Sequence, residues 1–324
     1  MEQNNSYTIE GIKDFDPVHT FECGQCFRWE QQPDGSYTGA AMGRIVNMRF
    51  DAGAADPNGG SGVAARRSSE RAAGQSGRLT ITPCTEEDFD DIWRPYLDLD
   101  RDYTAIKTRL SEGDDIMKKA CEYGYGIRIL KQDLWETIMS FIISQNNNIP
   151  RIKGCIERLC DNFGEPIGDG STAEAANATE AGEAIHHDIP RPVDTTTTVR
   201  HDIPKPEVMA ALTVEDLAPV RLGYRAKYLI ETAKTVCEEG LPGDFDELSA
   251  LCGVGPKVAS CIALFGMQDY ASFPIDVWVM KVMHELYGLP EGNKKAMAKF
   301  AAEHFGELGG FAQQYLFYYM RDRA

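Results

Sequence analysis

"LCGVGPKVASC", residues 251–261, decides how the second half of the chain folds. Gly253 and Gly255 flank Val254, Pro256 follows, and Lys257 enters the next segment. The glycines permit backbone angles that a side chain forbids, so the chain reverses sharply. Pro256 suits the first turn of a helix, where a missing N–H is no loss. The following "KVASCIALFG" spaces small and apolar residues at helical intervals, and "DFDELSAL", residues 244–251, predicts a helix before the turn. The unit is helix, Gly-Val-Gly hairpin, helix. Its second helix starts with backbone N–H groups free to cradle a phosphate. A plain connecting loop fits the hairpin alone equally well.

Upstream, residues 7–50 read as short strands: "CFRWE" and "SYTGAAMGRIVNMRF" alternate, with "PDG" and "MGR" as turns. Residues 51–78, rich in Gly, Ala and Ser, predict a flexible insertion, after which "LTITPC" resumes a strand. From "TEEDFDDIWRPYL" the chain turns helical, with Thr85 and Asp88 spaced as a cap. "DLWETIMSFIISQ", 133–145, predicts a buried helix that "NNNIP" breaks, and Pro150 opens the next one. Residues 165–200 are of low complexity and predict a disordered insertion. "HDIPRP" at 187–192 returns as "HDIPKP" at 201–206, read as a local duplication within that insertion, with helices resuming at 213. The expected fold class is α+β, with an antiparallel β-sheet domain over 1–115 and a mostly α-helical domain over 116–324.

The 324 residues, 43% of them hydrophobic, give room for a substantial core. No basic-then-apolar leader opens the chain, and runs such as "FII" at 141–143 are too short to span a bilayer, so a soluble, cytoplasmic protein is expected, nucleoid-associated if bacterial. Nine cysteines, an odd number, point to reduced thiols. "CGQC", Cys23 to Cys26, has redox or half-zinc spacing, but no second pair follows and the sequence continues as strand, so neither role is expected. The net charge of −17 opposes nucleic-acid binding as a whole. Its distribution softens that objection. Residues 86–115 carry 11 acids against 4 bases and residues 164–209 carry 9 against 3, while residues 122–164 balance at 5 and 5.

Four stretches carry chemistry. Lys257, in the first turn after the hairpin and beside free N–H dipoles, has its charged form disfavoured, which favours an amine nucleophile. Cys261, four residues on, shares its face. A surface lysine over a buried cysteine explains that pair alone just as simply. In "FPIDVWVM", 273–280, Asp276 is a lone carboxylate in an apolar run, either a helix cap or a functional group. "SQNNNIPRI" offers amides and Arg151, and "LGYRAKY" sets Tyr224 beside Arg225, side chains suited to stacking on bases and reading their edges. "FAQQYLFYYMRD" places Gln313 and Phe317 on one helix face.

A Gly-Val-Gly hairpin, the lysine after it and an aspartate 19 residues later resemble the helix-hairpin-helix DNA glycosylases with lyase activity. "GQCFRW", "SQNNNIPRI", "LGYRAKY" and "QQYLF" are similar, within that family, to the 8-oxoguanine glycosylases, over nearly the whole chain apart from the two insertions. The resemblance implies a helix-hairpin-helix glycosylase domain and excision of 8-oxoguanine opposite cytosine from duplex DNA, by a monomer with no required cofactor. It implies Lys257 as nucleophile at the sugar C1′ and Asp276 as stabiliser of the sugar's developing positive charge. The Gly24 carbonyl would accept from N7–H of the lesion, Cys261 and Phe317 would sandwich the flipped base, and Gln313 would read its Watson–Crick edge. Asn146 would fill the vacated stack, Arg151 and Arg225 would meet the orphaned cytosine, and Tyr224 would wedge the kink. Gly253, Val254 and Gly255 would hold the DNA backbone, with a structural cation at the carbonyls near Ser249, Leu251 and Val254.

Two departures stand out. Trp278 occupies the position where animal members carry histidine. No cysteine follows Cys261, so the iron–sulfur loop of related glycosylases is absent. Competing readings are a glycosylase for another oxidised or alkylated purine, a non-catalytic helix-hairpin-helix DNA-binding module, and a thiol redox protein built on "CGQC". Alkyl-base members lack the lysine, and binding alone requires neither Lys257 nor Asp276.

Overall fold

A computed structural model describes residues 5–53, 76–168 and 199–323. The N-terminal half builds one five-stranded antiparallel sheet, in the order β1 (Tyr7–Ile12), β5 (Gly77–Thr82), β4 (Arg44–Ala52), β3 (Tyr37–Ala41), β2 (Trp29–Gln31). The expected "MGR" turn joins β3 to β4 through Met42 and Gly43, both at positive φ, the pair that a two-residue hairpin needs to match strand twist. The sheet buries Trp29, Tyr37, Met48, Leu79 and Ile81 against Phe15, Phe21, Phe89 and Trp93. One element escaped the strand reading of 7–50: Pro17–Phe21 is a short helix capped by Asp16.

Thr85 and Asp88 form the expected reciprocal cap. Beyond it lie the helices Tyr103–Ser111, Asp115–Tyr123, Leu134–Ser144, Ile149–Phe163, Pro206–Ala211, Arg225–Glu239, Phe245–Ala250, Pro256–Gly266, Val277–Glu285, Lys294–His304 and Gly309–Arg321. Leu134–Ser144 is buried along most of its length and becomes the centre of the helical core, packed against Pro256–Gly266. Asn148 caps Ile149–Phe163 by accepting from the Arg151 N–H at 3.0 Å, so the triple-asparagine stretch ends one helix and starts the next. Among the described residues, no helix is long and apolar enough to cross a membrane.

Both insertions have narrower described edges than the sequence suggests. β4 and β5 pair as far as Ala52 opposite Gly77, so residues 51, 52, 77 and 78 are strand. Residues 165–167 and 200–202 pair as a short ladder, with the Ile167 N–H donating to the Arg200 carbonyl and the Asp202 N–H to the Glu165 carbonyl, both at 2.8 Å. The second copy of the repeat is not part of a disordered insert. Ile203 is buried in the helical core, the Pro204 carbonyl accepts from Trp135 Nε1 at 2.8 Å, and buried Arg28 donates to Asp202 and the His201 carbonyl. Helices therefore resume at Pro206 rather than at 213. The intervening parts of both insertions, and the first copy at 187–192, lie outside the described residues.

Candidate active site

The hairpin forms as its sequence predicts, between Phe245–Ala250 and Pro256–Gly266. Gly253 sits at φ 78°, and a Cβ there would fall 2.4 Å from the Tyr228 ring. No other residue type satisfies both conditions. Thr232 donates to the Cys252 carbonyl at 3.1 Å, and Tyr224 packs edge-on against Tyr228. The "LGYRAKY" stretch and the hairpin thus become one surface. No side chain caps Pro256–Gly266, and its first turn holds no acid, so its opening N–H groups face outward uncompensated.

Lys257 is half-buried, with Nζ 5.6 Å from the centre of the Phe141 ring. Phe141 stacks on Phe265 and meets Phe27 edge-on, giving the lysine an aromatic floor. Asp276 caps Val277–Glu285, its carboxylate accepting from the Val279 N–H at 2.8 Å. The cap reading is therefore correct, and it coexists with proximity to Lys257. Burial raises the Asp276 carboxyl above the ordinary range, while the Val279 N–H and Lys257 oppose that rise. Burial likewise pushes up the Cys261 thiol against the pull of Lys257. A buried, protonated thiol attacks poorly, which argues against Cys261 as a nucleophile.

Gly24 lies at φ 80° against Phe317, where a Cβ would come 3.5 Å from the ring. Its loop bridges the two cores, because Cys23 belongs to the helical one and Cys26 to that of the sheet. The two thiols therefore point into different interiors. Burial raises Cys23 to about 11 and Cys26 well above its usual range, which disfavours the thiolate form of each. Gln313, only 5% exposed, keeps its Oε1 without a hydrogen-bond partner among the described residues. A buried acceptor without a partner is uncommon in folded proteins, which makes this helix face a candidate for a ligand.

Four DNA-facing candidates gather on one side. Asn146 is exposed at φ 46° directly after Leu134–Ser144, Tyr224 is 52% exposed, and Arg151 is exposed. Arg225 departs from expectation. It is 4% exposed, and its guanidinium is spent on the carbonyls of Gln145, Asn146 and Leu222. It braces the loop that carries Asn146 instead of facing an open surface. Sequence reasoning also passed over Phe141, Gln25 and Gln314. The doubled glutamine of "AQQY", inside an apolar helix, was the available signal for the last. Among the described residues, no group of three or more His, Cys, Asp or Glu is placed to hold a metal.

Residues 9–138 match the family model of the 8-oxoguanine DNA glycosylase N-terminal domain, and residues 139–307 match that of the HhH-GPD superfamily base excision DNA repair protein. The chain belongs to the HhH-GPD superfamily. An HhH-GPD relative from Methanothermobacter thermautotrophicus, named "Probable N-glycosylase/DNA lyase", is 30% identical over 269 residues, covering 76% of this chain and 80% of its own. The Clostridium acetobutylicum 8-oxoguanine glycosylase/lyase, solved with duplex DNA containing cytosine opposite 8-oxoguanine, is 34% identical with a TM-score of 0.79, covering 100% of this chain and 97% of that one. MBOgg1, solved with a low-affinity DNA ligand, is 38% identical with a TM-score of 0.78, covering 100% and 98%.

Proposed function

We propose that this chain is a bifunctional DNA glycosylase/lyase that excises 8-oxoguanine opposite cytosine. The observation that carries the reading is that Lys257 lies close enough to the buried Asp276 to act on its carboxylate electrostatically, just past the hairpin, while Gly24 lies against Phe317 on the helix that also carries Gln313. A sugar carbon inside the base stack is out of reach, so the lesion is extruded into a pocket. The Lys257 amine attacks C1′ as the bond to the base breaks, and the departing base takes up a proton. Loss of a proton from the amine and opening of the sugar ring leave an imine, from which β-elimination cleaves the strand. Asp276 stabilises the positive charge that develops on the sugar.

Guanine presents a lone pair at N7 where 8-oxoguanine presents an N–H. The Gly24 carbonyl therefore accepts from the lesion and repels the normal base. Cys261 and Phe317 sandwich the base, and Gln313 reads its outer edge. Asn146 and Tyr224 fill and wedge the emptied stack, and Arg151 reads the orphaned cytosine. For Arg225 to join it, the guanidinium must first release the carbonyls of Gln145 and Asn146. The hairpin N–H groups hold a phosphate, and a cation at the carbonyls of Ser249, Leu251 and Val254 would add to that grip without entering the chemistry. The protein acts as a monomer on duplex DNA, and the excision needs no metal.

The test is to incubate the protein with duplexes carrying 8-oxoguanine opposite each base, with borohydride present. A trapped adduct is expected, fastest opposite cytosine. It disappears in Lys257→Gln while duplex binding remains. An adduct still trapped by that variant would move the nucleophile elsewhere.

A further inference from the structure

Around Gly24, three backbone carbonyls in four residues are each held by a side chain from a distant element. Arg321 donates to the Glu22 carbonyl at 2.7 Å, Gln314 Nε2 to the Cys23 carbonyl at 2.8 Å and Gln132 Nε2 to the Gln25 carbonyl at 2.8 Å. The Gln25 side chain is itself tied down, donating to the carbonyls of Thr20 and Arg128 and accepting from the Leu130 N–H. Among the described residues, nothing donates to the Gly24 carbonyl. A glycine at φ 80° has little intrinsic preference for where its carbonyl points. Direction must therefore come from its neighbours. The Gln314 bond fixes the peptide plane before Gly24, and the bonds to Gln25 fix the residue after it.

Gln314 and Arg321 lie on the same helix as Gln313 and Phe317, and Arg321 also covers the Phe317 ring, its guanidinium carbon 5.4 Å from the ring centre. One helix thus carries Phe317, Gln313 and two of the side chains that hold the carbonyls next to Gly24. We propose that Gln314, with Arg321 in support, is a specificity-positioning residue that aims the Gly24 carbonyl at the lesion's N7–H. This rests on the reading of Gly24 given above. Glu22, Cys23 and Gln25 have their carbonyls occupied so that a single acceptor is left for the base.

The test uses Lys257→Gln protein, which binds without cutting, and compares dissociation constants for an 8-oxoguanine:cytosine duplex and its guanine:cytosine counterpart. Adding Gln314→Leu is expected to lower the preference for the lesion roughly ten-fold, about the effect of one misdirected hydrogen bond, while the undamaged-duplex constant stays put. Arg321→Met in the same background repeats the measurement if Gln314→Leu folds poorly. A role confined to general stability would weaken both duplexes together and overturn the proposal, as would an unchanged preference in both variants. If the Lys257→Gln parent itself showed no preference for the lesion, the failure would belong to the functional reading and not to the clamp.

Discussion

Asp276 holds a helix terminus and faces Lys257 with the same carboxylate. Its raised pKa means that the folded state binds its proton more tightly than the unfolded chain does. The stability tied to that proton is present below the ordinary carboxylate value, about 3.9, and is lost as pH rises through the raised folded value. Asp276→Asn keeps a capping side chain but removes that loss, so its melting temperature relative to wild type should climb as the pH rises above about 4. The same variant should excise 8-oxoguanine at least ~100-fold more slowly, having lost an electrostatic stabiliser. Unchanged excision would reduce Asp276 to a cap. Arg151 and Arg225 make a second contrast at this scale. Arg151 forms no side-chain hydrogen bond or ion pair among the described residues, whereas Arg225 is buried on backbone carbonyls. Arg151→Ala should lower the preference for cytosine over adenine opposite the lesion by about 1–3 kcal/mol, read as the ratio of single-turnover rates. Arg225→Ala should instead lower the melting temperature, because it frees the loop of Asn146.

At the scale of the element, the hairpin is specified by backbone geometry more than by side chains. Gly253 is held by its positive φ and by the Tyr228 ring against it, so Gly253→Ala meets both strain and a clash. The expected cost is about 1–3 kcal/mol of stability, with weaker binding to undamaged and damaged duplex alike. Equal loss on both duplexes is the discriminating result, since the proposed role of the hairpin is to grip phosphate and not bases. The elements were legible where the pattern was strong. The largely apolar 134–144, the Pro-Lys start at 256 and the Thr85 cap all stand where the periodicity and capping residues put them. Pro17–Phe21 was missed because five residues cannot display a helical period, and its local signals are only the Asp16 cap and Pro17 at its first position.

At the scale of the whole molecule, the side chains proposed as catalytic come from the helical half, while the carbonyl proposed to read the lesion comes from the loop after Pro17–Phe21. The seam between the two cores is therefore part of the site. The insertion that begins near residue 168 leaves and re-enters the fold at a paired ladder, so its ends are already close together. Replacing 171–198 with a short Gly-Ser linker should leave the melting temperature and excision rate nearly unchanged, because no described core residue is removed. Extending the deletion through 201–205 should be destabilising, since that copy of the repeat carries Ile203 and the Trp135 and Arg28 contacts.

The sequence by itself determined the hairpin, its lysine, the capping aspartate and the class of fold, because each follows from backbone geometry and periodicity within a few residues. The tertiary structure alone decided which polar groups were already spent. Arg225, Gln314 and Arg321 all look like free side chains in the sequence, yet each donates to a carbonyl from elsewhere in the chain. Gln313, beside one of them, is left with an empty acceptor. Two neighbouring glutamines of the same type differ only in what the fold brings opposite them. Hydrogen-bond partners remote in sequence are set by packing, and no local pattern encodes them.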